Sequence, residues 1–158
     1  MKKILATSLL LISVSLNASD CIIAKELNVN FVNDSTKYVD TNKEIKKIKD
    51  FKKFIDQTDL YVLIQGHTNN IAEAKYNFNL SEQRAKTVMN ELKHLGLKSN
   101  QVKAMGFGES SPLYSNDTED GLNSNRRVIA ETFNSAKERD EYMKSQQKRI
   151  KNIKFKEQ

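Results

Sequence analysis

The chain has 158 residues, 38% of them apolar, which suits one domain with its own core plus short appendages. Its formal net charge of +6 invites a nucleic-acid reading, yet residues 19–133 hold sixteen basic and sixteen acidic side chains. The excess sits in Lys2, Lys3 and residues 134–158, where eight basic side chains face four acidic ones; this argues against a nucleic-acid-binding face and weakly for an anionic surface partner.

Residues 1–18 read as a secretory signal peptide, with two lysines, an apolar run from Ile4 to Leu16 and a small residue at Ala18. The run is too short to span a bilayer, so cleavage near Ala18 or Ser19 is expected to release a mature protein with no spanning segment. Residues 19–26 form a short N-terminal segment. Cys21 is the only cysteine and has no disulfide partner, and Asp20 stands where a lipoprotein signal needs a small residue.

Leu27 to Val32 alternate apolar and polar side chains and read as a strand, with Asp34 at its exit. From Thr41 to Gln57, the residues Ile45, Ile48, Phe51, Phe54 and Ile55 share one face of an amphipathic helix whose lysines cover a solvated face, with Asp40 or Thr41 as cap. Leu60 to Ile64 suits a central strand ended by Gly66, and residues 70–79 are loosely helical or looped. A second helix begins with Ser81 as N-cap, carries Ala85, Val88, Met89, Leu92 and Leu95 on its apolar stripe, and stops at Gly96.

That start places Arg84 in the first helical turn, where unpaired N–H groups and the helix dipole are already positive. A guanidinium there either stands in solvent or joins the N–H groups as a carboxylate or phosphate receptor. Farther on, Gln101 to Phe107 reads as a strand, and residues 108–124, with the lone Pro112, as a loop long enough to be functional. Arg127 to Phe133 reads as a last strand, with Val128 and Ala130 on one face and Ile129 and Phe133 on the other. Residues 134–158 read as a basic, solvated helical extension with only a thin stripe of Met143, Ile150 and Ile153.

These elements imply an α/β fold, specifically an α+β two-layer sandwich with helices on one side of a small sheet. His67 has no nucleophile and orienting acid arranged around it, so a structural hydrogen bond is its expected role; His94 is expected at the surface. Two His and one Cys in no ligand spacing imply no metal site, and Gly106-Phe107-Gly108 lacks the following helix of a dinucleotide site. No catalytic residue and no cofactor are expected.

The blocks Gly66-His67-Thr68, Tyr76-Asn77, Leu80-Ser81, Arg84-Ala85, Gly106-Phe107-Gly108-Glu109 with Pro112, and Asn125-Arg126-Arg127-Val128 follow one another in an ordered pattern. That pattern resembles the OmpA-like C-terminal domain, the peptidoglycan-binding module of outer membrane protein A, peptidoglycan-associated lipoproteins and flagellar stator proteins. The resemblance implies a β-α-β-α-β-β domain over residues 27–133, with helices packed on one small mixed sheet. It also implies a non-enzymatic module that holds the diaminopimelate side chain of the stem peptide and tethers an envelope component to the wall, in the periplasm or at the outer membrane. The peptidoglycan-binding residues it implies are Arg84, Asn69, Thr68, Asp34, Asn77, Leu80, Asn125 and Arg126, the last two open to a scaffold role as well.

One departure matters for the chemistry. The family carries an acid where this chain has Asn69, and an acid paired with Arg84 would meet both charges of a diaminopimelate end. Losing charge assistance costs on the order of 1–2 kcal/mol, so the alternative is a degenerate domain with weakened wall binding, acting as a periplasmic protein-interaction module. The basic extension is then the candidate contact for an envelope protein partner.

Overall fold

Apolar alternation at Leu27, Val29 and Phe31 buries three side chains, but only Asn28–Val29 pair as a strand, β1. Phe31 instead bridges to Tyr38 across a tight turn in which Asp34 adopts a φ of 53°. This computed structural model describes residues 26–154, so the expected signal peptide and Cys21 lie outside the described residues.

Helix α1, Thr41–Thr58, starts where Asp40 accepts a bond from the Lys43 N–H at 3.1 Å, as its cap position requires. Ile48, Phe51 and Ile55 are buried along its inner face. Lys47 departs from the solvated-lysine expectation: its Nζ reaches Asn28 O at 2.9 Å and pairs with the buried Glu44 at 2.8 Å, fastening α1 to β1.

The central strand β2, Tyr61–His67, runs through Gly66 rather than ending there. It pairs in parallel with β3, Val102–Gly108, and antiparallel with β4, Val128–Phe133, which in turn pairs antiparallel with β1. The order β1-β4-β2-β3 gives one mixed four-stranded sheet.

Helix α2 spans Ala74–His94, so the expected start at Ser81 is wrong by almost two turns. Ser81 is a reasonable cap residue by type, but its hydroxyl is used inside the fold: Oγ donates to Phe78 O at 2.7 Å and accepts the Gly108 N–H at 2.9 Å. The helix lies so close to the sheet that a Cβ on Gly66 would stand 1.9 Å from Ser81 O, and one on Gly106 2.7 Å from Glu82 N. Both glycines thus serve contact between backbones. The helix closes on Gly96 (φ 93°), with bonds from Gly96 N to Lys93 O and Leu97 N to Leu92 O.

The stretch read as a continuous loop contains α3, Glu119–Asn125, capped by Thr118 Oγ1, which accepts the Gly121 N–H at 3.1 Å. The two faces of the sheet are covered separately. Val62, Ile64, Val102 and Val128 pack with α1 and α2, completing the α+β sandwich. On the other face, Leu63, Met105, Phe107 and Phe133 pack with Ile150 of α4, Ala136–Lys154. The terminal helix is therefore docked, not solvated. The apolar stripe looked thin because Tyr142, tilted against Phe133 with ring centres 5.3 Å apart, and Arg139, lying over Tyr61, add cover that a count of aliphatic residues overlooks.

Candidate functional site

A cleft of about 670 Å³ opens where the turn after β1, the segment following β2, the first half of α2 and one face of α3 meet. Asp34, Thr68, Asn69, Asn77, Leu80, Arg84 and Arg126 all line it, so seven of the eight residues singled out from sequence converge on one place. Asn125 does not line it. Its amide is consumed in the wall, accepting from the Leu113 and Tyr114 N–H groups and donating to Tyr114 O and Asn116 Oδ1.

Arg84 reaches the cleft from mid-helix rather than from a helix N-terminus, which removes the dipole-assisted receptor expected from sequence. It is 1% exposed. Its Nε donates to Ser35 O at 2.8 Å and its Nη2 to Val32 O at 3.0 Å, while the guanidinium lies 5.5 Å from the centre of the Phe31 ring. Nη1 has no partner. Burial and then the charge of Arg126 pull the guanidinium down to about 10, with Asp34 and Tyr76 opposing, so it remains charged at neutral pH.

The other lining groups divide by what already holds them. Asn69 Oδ1 accepts the Ile71 N–H at 3.3 Å and its Nδ2 donates to Leu122 O at 3.4 Å. Asn77 Nδ2 is shared among Asn69 O, Ala72 O and Glu109 Oε2, so this side chain clamps the loop. Asp34 accepts the Tyr76 hydroxyl, and Arg126 donates to Asn123 Oδ1. Thr68 gives its N–H to Gly108 O at 2.9 Å but leaves its buried hydroxyl unpartnered.

On the α3 side of the cleft, sequence reasoning found Arg126 but missed the helix itself. Glu119, Leu122, Asn123 and the C-cap residue Arg126 all line it at the i, i+3, i+4, i+7 spacing of one helical face. The available signal was Thr118 followed by two acids, an N-terminal cap pattern obscured by Gly121 and by the polarity of the stretch.

His67 and His94 play no part in the cleft. His94 is exposed, as expected. His67 is buried against Phe107, ring centres 5.0 Å apart, and neither ring nitrogen has a hydrogen-bond partner, so stacking replaces the expected structural hydrogen bond. Burial, with Arg127 and Arg149 nearby, pushes its imidazole down to about 3. Among the described residues no cluster of His, Cys, Asp and Glu could hold a metal ion.

A profile of the OmpA family matches residues 30–126. The chain belongs to the OmpA family. Among relatives, it is 34% identical to outer membrane porin F of Pseudomonas aeruginosa over 79% of its own length and 37% of that protein's. It thus spans little more than a third of that relative. Among solved structures, it resembles the peptidoglycan-associated lipoprotein of Burkholderia pseudomallei at 26% identity and a TM-score of 0.63, covering 75% of this chain and 98% of that one. The periplasmic domain of Helicobacter pylori MotB shares the fold, with 19% identity and a TM-score of 0.61 over 75% of this chain and 79% of that one. The OmpA-family match spans Asn69, Arg84 and the α3 wall.

Proposed function

We propose that this chain is a non-catalytic peptidoglycan-binding module of the bacterial cell envelope, which receives the charged end of a diaminopimelate side chain in the cleft and so tethers an envelope component to the wall. The observation that carries the reading is Arg84: a buried guanidinium on a residue that lines the cleft, with Nε and Nη2 donating to backbone carbonyls and Nη1 without a partner. A buried charged donor without a partner is costly, and a ligand carboxylate answers that cost with a charge-assisted bond. The family relationship and the likeness to a peptidoglycan-associated lipoprotein support the same reading.

The cleft holds charges of both signs that are not joined in direct ion pairs. Arg84 and Arg126 bond to carbonyl and amide oxygens, and among the described residues neither forms an ion pair with Asp34 or Glu119. An arrangement of this kind suits a zwitterion, which brings one charge for each kind of group. Export across the inner membrane, with residues 1–18 removed, puts the module where the wall is.

Co-sedimentation of the mature protein with purified sacculi tests the proposal. Wild type is expected in the pellet and Arg84→Ala in the supernatant, with circular dichroism showing that the variant is folded. Wild type remaining in the supernatant would overturn wall binding and leave the protein-interaction alternative.

A further inference from the structure

The substitution at position 69 raises the question of what meets the ligand's ammonium. Asn69 is not available for it. Its oxygen faces the Ile71 N–H and its amide nitrogen faces Leu122 O, and these partners fix which way the amide points. Asp34 is engaged on the Arg84 side of the cleft: it accepts the Tyr76 hydroxyl and belongs to the same turn whose Val32 and Ser35 carbonyls hold the guanidinium.

Glu119 is differently placed. It lines the cleft from the α3 side, is exposed, and its carboxylate makes no hydrogen bond or ion pair among the described residues. Its element is well held: Thr118 caps α3 at the start and the Asn125 network anchors its end. Glu119 is one turn before Leu122, whose carbonyl carries the Asn69 amide, so it stands on the helix that position 69 touches.

Resting on the reading that the cleft binds a diaminopimelate end, we infer that Glu119 supplies the carboxylate for the ligand's ammonium, relocating to α3 the negative charge that the family carries at position 69. The carboxylate of the ligand goes to Arg84 and its ammonium to Glu119. Asn69 then acts as a tie between the segment after β2 and α3. Reverting it to an acid would set a carboxylate against the Leu122 carbonyl and gain nothing.

Isothermal titration of the mature chain with two synthetic stem tripeptides tests this. One ends in meso-diaminopimelate; the other is identical except that hydrogen replaces the distal amino group. Wild type is expected to prefer the first. Glu119→Gln should weaken the first by about tenfold, leave the second unchanged and so erase the preference, on the scale of one charge-assisted bond. Asn69→Asp should not strengthen either peptide. The inference falls if the preference survives in Glu119→Gln, if Asp34→Asn erases it instead, or if Asn69→Asp raises affinity tenfold. Wild type binding neither peptide would overturn the diaminopimelate reading itself, and this inference with it. Thermal unfolding of each variant checks folding. Glu119 is exposed, so its variant should melt with wild type.

Discussion

On the proposed reading, Arg84 is both scaffold and receptor. Its Nε and Nη2 donate to the turn after β1, and Nη1 has no partner. Arg84→Met keeps much of the length and removes the donors, leaving the Val32 and Ser35 carbonyls to find other partners. It should lower unfolding stability in urea by about 1–3 kcal/mol and abolish retention on sacculi. Arg84→Lys tests the second role more narrowly. A lysine keeps the charge but cannot reproduce a planar fork that holds two carbonyls while presenting a third N–H, so binding should fall further than stability. His67 makes a separate residue-scale prediction. The folded imidazole stays neutral down to about pH 3, whereas the unfolded one takes a proton below its ordinary value of 6.5. Between these two values the unfolded chain binds more protons, so the contribution is complete above pH 6.5 and drains away as pH falls. Stability should be lower at pH 5 than at pH 7 by roughly 2 kcal/mol from this group, and His67→Phe, which retains the stack on Phe107, should remove that part of the slope. Urea titrations at the two pH values measure it.

At the scale of elements, α2 is set by how closely it can approach the sheet. Gly66 and Gly106 remove the two Cβ atoms that would block it, and Ser81 sits in the gap bonded to Gly108. Gly66→Ala must push Ser81 O away by more than an ångström, which displaces the helix carrying Arg84. A loss of about 3 kcal/mol or more in urea unfolding is expected, with weakened sacculus binding even where the variant folds. The same contact explains what could be read in advance. Helix α1 was legible because its cap, Asp40, and its apolar face, Ile48, Phe51 and Ile55, act as local chemistry says they should. The start of α2 was not, because Glu73 makes no side-chain cap bond and the apparent cap, Ser81, owes its place to tertiary packing. Thr68, Asn77, Leu80, Arg84 and Arg126 of the cleft lining were legible through the ordered motif blocks and Asp34 through its place at a strand exit, whereas Glu119 belongs to no block and comes into view only once α3 is seen to turn one face to the cleft.

The whole molecule is one sheet held from both sides, and the terminal helix is part of what holds it. Helix α4 buries Ile150 against Leu63, Met105, Phe107 and Phe133, and its Arg149 donates to Ser110 O at 3.1 Å and Ser111 Oγ at 2.7 Å. Arg127, just before β4, also donates to Ser111 O at 3.0 Å. The segment after β3 is therefore gripped by α4 and by Arg127 at one end, and by Asn125 through Leu113 and Tyr114 farther along. Its Glu109 accepts from Asn77 in the cleft wall. A continuous set of contacts thus runs from the far face of the sheet to the cleft. Ile150→Ala should cost about 2–4 kcal/mol, the range for a buried aliphatic truncation, whereas Ile153→Ala, at a side chain 44% exposed, should cost far less. A chain ending at residue 135 makes the sharper test. If α4 were a solvated appendage, truncation would leave the urea midpoint unchanged; if it is the second cover of the sheet, the midpoint falls and the uncovered apolar face promotes association, measurable by light scattering. Arg149→Met separates clasp from cover: it keeps the helix docked through Ile150, should cost about 1–2 kcal/mol, and should weaken peptide binding only as far as Ser110 and Ser111 hold the cleft wall in place.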